Sequence, residues 1–143
     1  MTPREFATWA SSRGLPHRMI EQLVLVAASP EEMEAASEAM EPAPPIYTLA
    51  DIVEMTDEDP YGISPAANGF LIAGGCPNGD PIAIDVGKEP GSVWYISHED
   101  MSEKPTRDAA IRVAKDVAAL FQGIVKGELQ LDYYDAKRRP SKK

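Results

Sequence analysis

The chain has 143 residues, 43% of them hydrophobic and 26% charged, a size and balance that fit one globular domain able to bury its own core. Its single cysteine, Cys76, rules out an intramolecular disulfide, and no Cys/His set carries zinc-ligand spacing, so no metal and no other cofactor is expected. Net charge is −9, and between Arg18 and Lys88 stand thirteen Asp or Glu with no Lys or Arg, a field that disfavours nucleic acid and favours a basic protein partner.

From the amino end, Thr2-Pro3-Arg4-Glu5 has the form of a capping box with proline at the first helical position. It predicts a helix to Arg13 with Phe6, Trp9 and Ala10 on one face and Gly14 as its stop. A second helix from Pro16 to about Ala28 places Ile20, Leu23, Val24 and Ala27 on one stripe. Ser29-Pro30-Glu31-Glu32 repeats the start signal for a third, sparsely apolar helix, which the prolines of Glu41-Pro42-Ala43-Pro44-Pro45 end. Thr48 caps one or two further turns through Met55, and Thr56 to Gly62 reads as loop.

The next stretch, residues 68–97, has three short apolar runs separated by Gly, Pro and Asn, and predicts a three-strand antiparallel meander. Phe70 to Ala73 is a continuous run, Pro81 to Val86 alternates, and Val93 to Ile96 is β-branched and aromatic. Gly74 to Asp80 and Gly87 to Gly91 are the turns, with Gly69, Gly74, Gly79 and Asp80 as the turn residues. After a polar connector, Thr106 to Lys126 repeats Ala110, Val113, Ala114, Val117, Phe121 and Ile124 at spacings of three and four, predicting one long carboxy-terminal helix with Asp108 near its start. Glu128 to Tyr134 alternates as a strand or docking segment would. The basic run 137–143 reads as a disordered tail.

The order Gly-Phe-Leu-Ile-Ala-Gly, Asn78-Gly79-Asp80, Pro-Ile-Ala-Ile-Asp-Val and Val-Trp-Tyr-Ile-Ser-His-Glu resembles the SUKH superfamily. The matching residues are Gly69, Gly74, Gly79, Asp80, Asp85, Val93, Tyr95, His98 and Glu99, with looser support from Ile46 to Ile52 and from Leu15-Pro16. That family joins bacterial immunity proteins against delivered toxins with a fungal regulator of cell-wall synthesis. The resemblance implies an α+β fold and a protein-binding role.

Three groups are candidates for chemistry or binding. His98-Glu99-Asp100 follows the third strand, where an imidazole beside carboxylates suits a general base or a metal ligand, although sequence neighbours on an extended chain point to opposite faces. Asp57-Glu58-Asp59 reads as a solvated face or as a surface for a basic partner, and its spacing does not fit a calcium loop. Trp94 and Tyr95 face opposite sides of their strand, so one of them is core and the other lies under a loop or anchors an interface. The 74–80 loop lacks the lysine and following helix of a phosphate cradle, and Cys76 has no neighbour that would activate its thiol.

Together these readings give an α+β domain over residues 1–136, with helices over 1–41, a proline-rich spacer at 42–45, and a mostly antiparallel sheet with a long helix over 46–136. With no targeting segment or membrane span in the sequence, a cytoplasmic protein is expected. The expected function is non-enzymatic: an immunity protein occluding a cognate, basic, nuclease-type toxin, with Asp57, Glu58, Asp59, Trp94, His98 and Glu99 as partner-binding residues. The alternatives are a regulatory scaffold akin to the cell-wall regulators, and a small hydrolase using His98 and Glu99.

Overall fold

The computed structural model describes residues 1–27, 46–58, 69–76, 80–98, 109–126 and 132–138. The helix expected over 29–40, the spacer 42–45, residues 100–108, the segment 128–131 and residues 139–143 lie outside them. The elements in order are α1 (Pro3–Ser12), α2 (His17–Ala27), α3 (Leu49–Glu58), β1 (Phe70–Gly75), β2 (Pro81–Asp85), β3 (Val93–Ile96), β4 (Ala110–Ala114), α4 (Val117–Lys126) and α5 (Tyr133–Arg138). The class is α+β: four strands in the order β1-β2-β3-β4, every neighbouring pair antiparallel, with helices against the sheet.

The meander forms where the apolar runs predict it, and a fourth strand extends it. The long helix expected over 106–126 is not there. Residues 110–114 of it are β4, because Ile111 and Val113 alternate with Arg112 and the strand pairs with β3 in the register Trp94 to Arg112, Tyr95 to Ile111 and Ile96 to Ala110. Helix α4 begins only after Asp116, which caps it: its Oδ1 accepts the Ala119 amide at 2.7 Å, while Gln22 Oε1 accepts the Ala118 amide at 3.0 Å. Asp116 is buried and its other oxygen lies 3.4 Å from Arg18. Asp116→Ala is therefore expected to lower stability by about 1–2 kcal/mol, with Asp116→Ser recovering some of the loss, as urea unfolding would show.

The sheet is apolar on both faces. Leu71, Ala73, Ile82, Ile84, Val93, Tyr95 and Val113 face α1, α2, α4 and the start of α3, meeting Phe6, Ile20, Leu23, Ile52, Leu120 and Phe121 in the main core. Phe70, Ile72, Ala83 and Ile96 form a smaller cluster on the opposite face with Ala109, flanked by Tyr47, Met55 and Trp94. α1 carries the full capping box, Thr2 Oγ1 accepting the Glu5 amide at 3.1 Å and Glu5 accepting the Thr2 amide at 3.0 Å.

The outer edge of β1 is sealed. The Ile72 amide points away from β2 by the ordinary antiparallel alternation and the Thr56 hydroxyl accepts it at 2.9 Å, while beside the register shift between Ile72 and Gly74 the Ala73 carbonyl accepts the Tyr47 amide at 2.8 Å. The Thr56 contact requires α3 to run past Met55. Residues 56–58, expected as loop, are helical.

At the carboxy end, α5 begins after Asp132, whose Oδ1 accepts the Asp135 amide at 2.9 Å. Tyr133 is therefore the first residue of a helix and not the end of a strand. Lys137 and Arg138, expected in a disordered tail, are its last two residues.

Candidate functional site

Two polar centres stand out, one buried and one exposed. The buried centre is built on Asp80, which is fully buried just ahead of β2. Its Oδ1 accepts the His98 amide at 3.0 Å and lies 2.6 Å from His98 Nδ1, and its Oδ2 accepts the Tyr133 amide at 2.9 Å. One carboxylate thus ties the start of β2, the end of β3 and the first residue of α5. A fully buried carboxylate is tolerable only when donors surround it in this way. His98 is a strand-end hydrogen-bonding residue here, with its ring about one-third exposed at 35%.

Cys76 and Tyr95 lie beside this centre. Burial pushes the Cys76 thiol well above its ordinary 9.0, with Asp80 and Asp132 adding to the shift. Burial likewise raises the Tyr95 phenol above its ordinary 10.0, with Cys76, Asp132 and Asp135 contributing. Such a thiol is protected and not a nucleophile at neutral pH. The fold keeps both protons at pH values where the unfolded chain loses them. Their contribution to stability is therefore intact below the ordinary 9.0 of the thiol and lost progressively as pH rises above it. Two outcomes are expected: stability declines on the alkaline side with a shallower slope in Cys76→Ala, and thiol reagents label Cys76 only after denaturation.

The exposed centre lies on α3. Asp51, Glu54 and Glu58 recur at spacings of three and four and share one helix face with Met55, as the helical repeat requires. With Tyr47 they line a groove of about 340 Å³. Tyr47 and Met55 are half-buried and supply its apolar floor, and the three acidic side chains are exposed. No described Lys or Arg pairs with any of the three. A wider depression between α1 and α2, lined by Ala7, Thr8, Ser11, Ser12, His17 and Ile20, has no such charge.

The expected partner-binding residues separate. Glu58 is on the groove. Asp57, one residue earlier, turns toward α1 and is spent within the fold: Arg13 reaches its Oδ1 at 3.1 Å, Trp9 Nε1 donates to the same carboxylate at 3.2 Å, and the Arg13 guanidinium lies 5.2 Å over the Trp9 ring. Trp94 is half-buried on the far face of the sheet, edge-on to Phe70 at 6.1 Å, its indole donating to Ser92 Oγ at 2.8 Å. Tyr95 is the core aromatic of the pair. Gly69 adopts φ +79, as a turn glycine can, whereas Gly74 lies within β1 beside its register shift. Asp59, Gly79 and Glu99 lie outside the described residues.

Sequence reasoning missed Asp51, Glu54, Tyr47 and Met55 as one surface. The signal was present in the spacing 51, 54, 58, but ending the helix at Met55 cut it off.

No protein-family model, curated protein or solved structure matches this chain. Among the described residues no group of three or more His, Cys, Asp or Glu is arranged to hold a metal ion, and no helix is long and apolar enough to cross a membrane.

Proposed function

We propose that the chain is a non-enzymatic protein-binding module whose α3 groove receives a basic protein, and that the partner is a cognate nuclease-type toxin held inactive by occlusion. The observation that carries this reading is the row of carboxylates, Asp51, Glu54 and Glu58, unpaired among the described residues and set over the half-buried Tyr47 and Met55. Such a row spans about 10 Å of helix. It would present negative charge where a nuclease holds substrate phosphates, while the apolar floor supplies contact area. The acidic middle of the chain would speed encounter with a basic partner. The SUKH resemblance of the meander agrees with an immunity role.

The test is capture of the protein product of a neighbouring gene. The triple substitution Asp51→Lys, Glu54→Lys, Glu58→Lys is expected to weaken capture roughly a hundredfold, within the range that close charge pairs contribute across interfaces. Glu21→Lys, on α2, should leave it unchanged. Capture of a housekeeping protein in place of a toxin would move the reading to a regulatory scaffold. Equal capture by the triple variant and the parent would sink the groove assignment itself.

A further inference from the structure

The two edges of the sheet differ. Tyr47 and Thr56 bond the outer edge of β1, whereas no described residue bonds the outer edge of β4. In an antiparallel ladder, residues alternate between pairs that exchange hydrogen bonds and pairs whose backbone groups point away. The Ser97 amide donates to the Ala109 carbonyl at 2.7 Å. Two residues along each strand, Tyr95 and Ile111 form the next bonded pair, which leaves Ile96 with Ala110 and Trp94 with Arg112 as non-bonded pairs. The Asp85 amide bonding the Ser92 carbonyl at 2.9 Å gives the same phase, since it directs the backbone groups of Trp94 toward β2. The N–H and C=O groups of Ala110 and Arg112 therefore point outward from the sheet, and no hydrogen bond among the described residues satisfies them. Ala110, Ile111 and Arg112 are all partly exposed, unlike the almost fully buried β1 and β2.

The Arg112 side chain is also under-used. Its Nε lies 2.9 Å from a Glu89 carboxylate oxygen, yet the geometry is out of line and Nε makes no hydrogen bond. Its terminal nitrogens have no described partner. Arg112 lies beside Trp94 on the far face of the sheet, because a non-bonded cross-strand pair brings the two side chains close. Lys115, just past the strand, is exposed. The edge thus carries two cations, Arg112, ion-paired through Nε alone, and the exposed Lys115, on an otherwise acidic protein.

We infer that the β4 edge over Ala110–Arg112 is a strand-addition site for an extended, acidic segment of a partner protein. The segment would bond the outward groups of Ala110 and Arg112, set a carboxylate opposite the Arg112 guanidinium, and place an apolar side chain against Ile111 on the other face. Backbone bonding supplies affinity, and the alternation of acidic and apolar side chains supplies selection. This site is separate from the α3 groove and does not depend on what binds there.

The experiment uses the full chain, 15N-labelled, with two blocked hexapeptide probes, one alternating valine with glutamate and the other valine with lysine. In the free protein the Ala110 and Arg112 amides are expected to exchange faster than that of Ile111. The glutamate probe should slow both and shift the Trp94 indole resonance, and the lysine probe should do neither. Arg112→Glu should reverse that preference. Arg112→Gln should abolish it, and serves alone if the glutamate variant does not fold. Slow exchange at Ala110 and Arg112 without any probe would show the edge already closed and overturn the inference. So would equal responses to the two probes, or none to either at millimolar concentration.

Discussion

Asp80→Ala is expected to lower the unfolding free energy by about 3–5 kcal/mol, because it strips a fully buried acceptor from several donors that each cost about 1–3 kcal/mol when left unsatisfied. The substitution deletes the acceptor for the His98 amide, the His98 ring and the Tyr133 amide together, and leaves these donors facing a cavity. The damage should be largest at α5, whose first amide is held by this carboxylate. Urea unfolding gives the magnitude, and hydrogen exchange at Tyr133 gives the location. Asp80→Asn, which keeps one acceptor oxygen, should fall between Ala and the parent. A loss below about 1 kcal/mol for Asp80→Ala, the size of an average point substitution, would show that water replaces the carboxylate without consequence.

Gly91→Ala is expected to cost about 2–5 kcal/mol, the sum of two separable effects. Gly91 has φ +93, in the left-handed region that a side chain disfavours. An added Cβ would also come within 2.4 Å of Met19 Cγ and 2.6 Å of its Sδ, in a buried contact between the β2–β3 turn and α2. The turn has little room to shift. Asp85, fully buried at its start, accepts the Gly87 amide at 2.7 Å and the Glu89 amide at 3.0 Å through its carboxylate, and the Gly91 amide at 2.8 Å through its carbonyl. Adding Gly91→Ala to a Met19→Ala background isolates the two effects. The steric effect should disappear and the backbone effect remain, so the increment should shrink to about 1–2 kcal/mol. An unchanged increment would show that the contact with Met19 is not the obstacle.

The meander was legible in the sequence because strand alternation and turn chemistry agreed there, from Phe70 to Ile96. The helix expected over 106–126 failed because Ala110, Val113, Ala114 and Val117 satisfy a helical spacing that small residues meet easily. Ile111 and Val113, alternating around Arg112, carried the competing period, and pairing with β3 decided between them. Asp116 was the missed start signal, since a capping residue is recognised only once the strand before it is known. The end of α3 was misread for a related reason. Thr56 and Asp57 have weak helix propensity, and their roles depend on Ile72, Trp9 and Arg13, residues remote in sequence. Asp80 read as a turn residue, and its burial was hidden because its partners stand 18 and 53 positions away. For the candidate site, the acidic character of the middle region was visible, whereas the division of labour between Asp57, tied to Trp9 and Arg13, and Glu58, on the groove, required the packing of α3 against α1.

A basic protein partner seated on the α3 groove, as proposed, would lie against Met55. Methyl labelling of the methionines provides the most direct measurement, because Met55 is half-buried on the groove floor while Met19 is buried in the main core. On titration with the captured partner, the Met55 methyl resonance should shift or broaden in step with complex formation while that of Met19 stays in place. A complex that forms while the Met55 resonance remains unmoved would contradict the account.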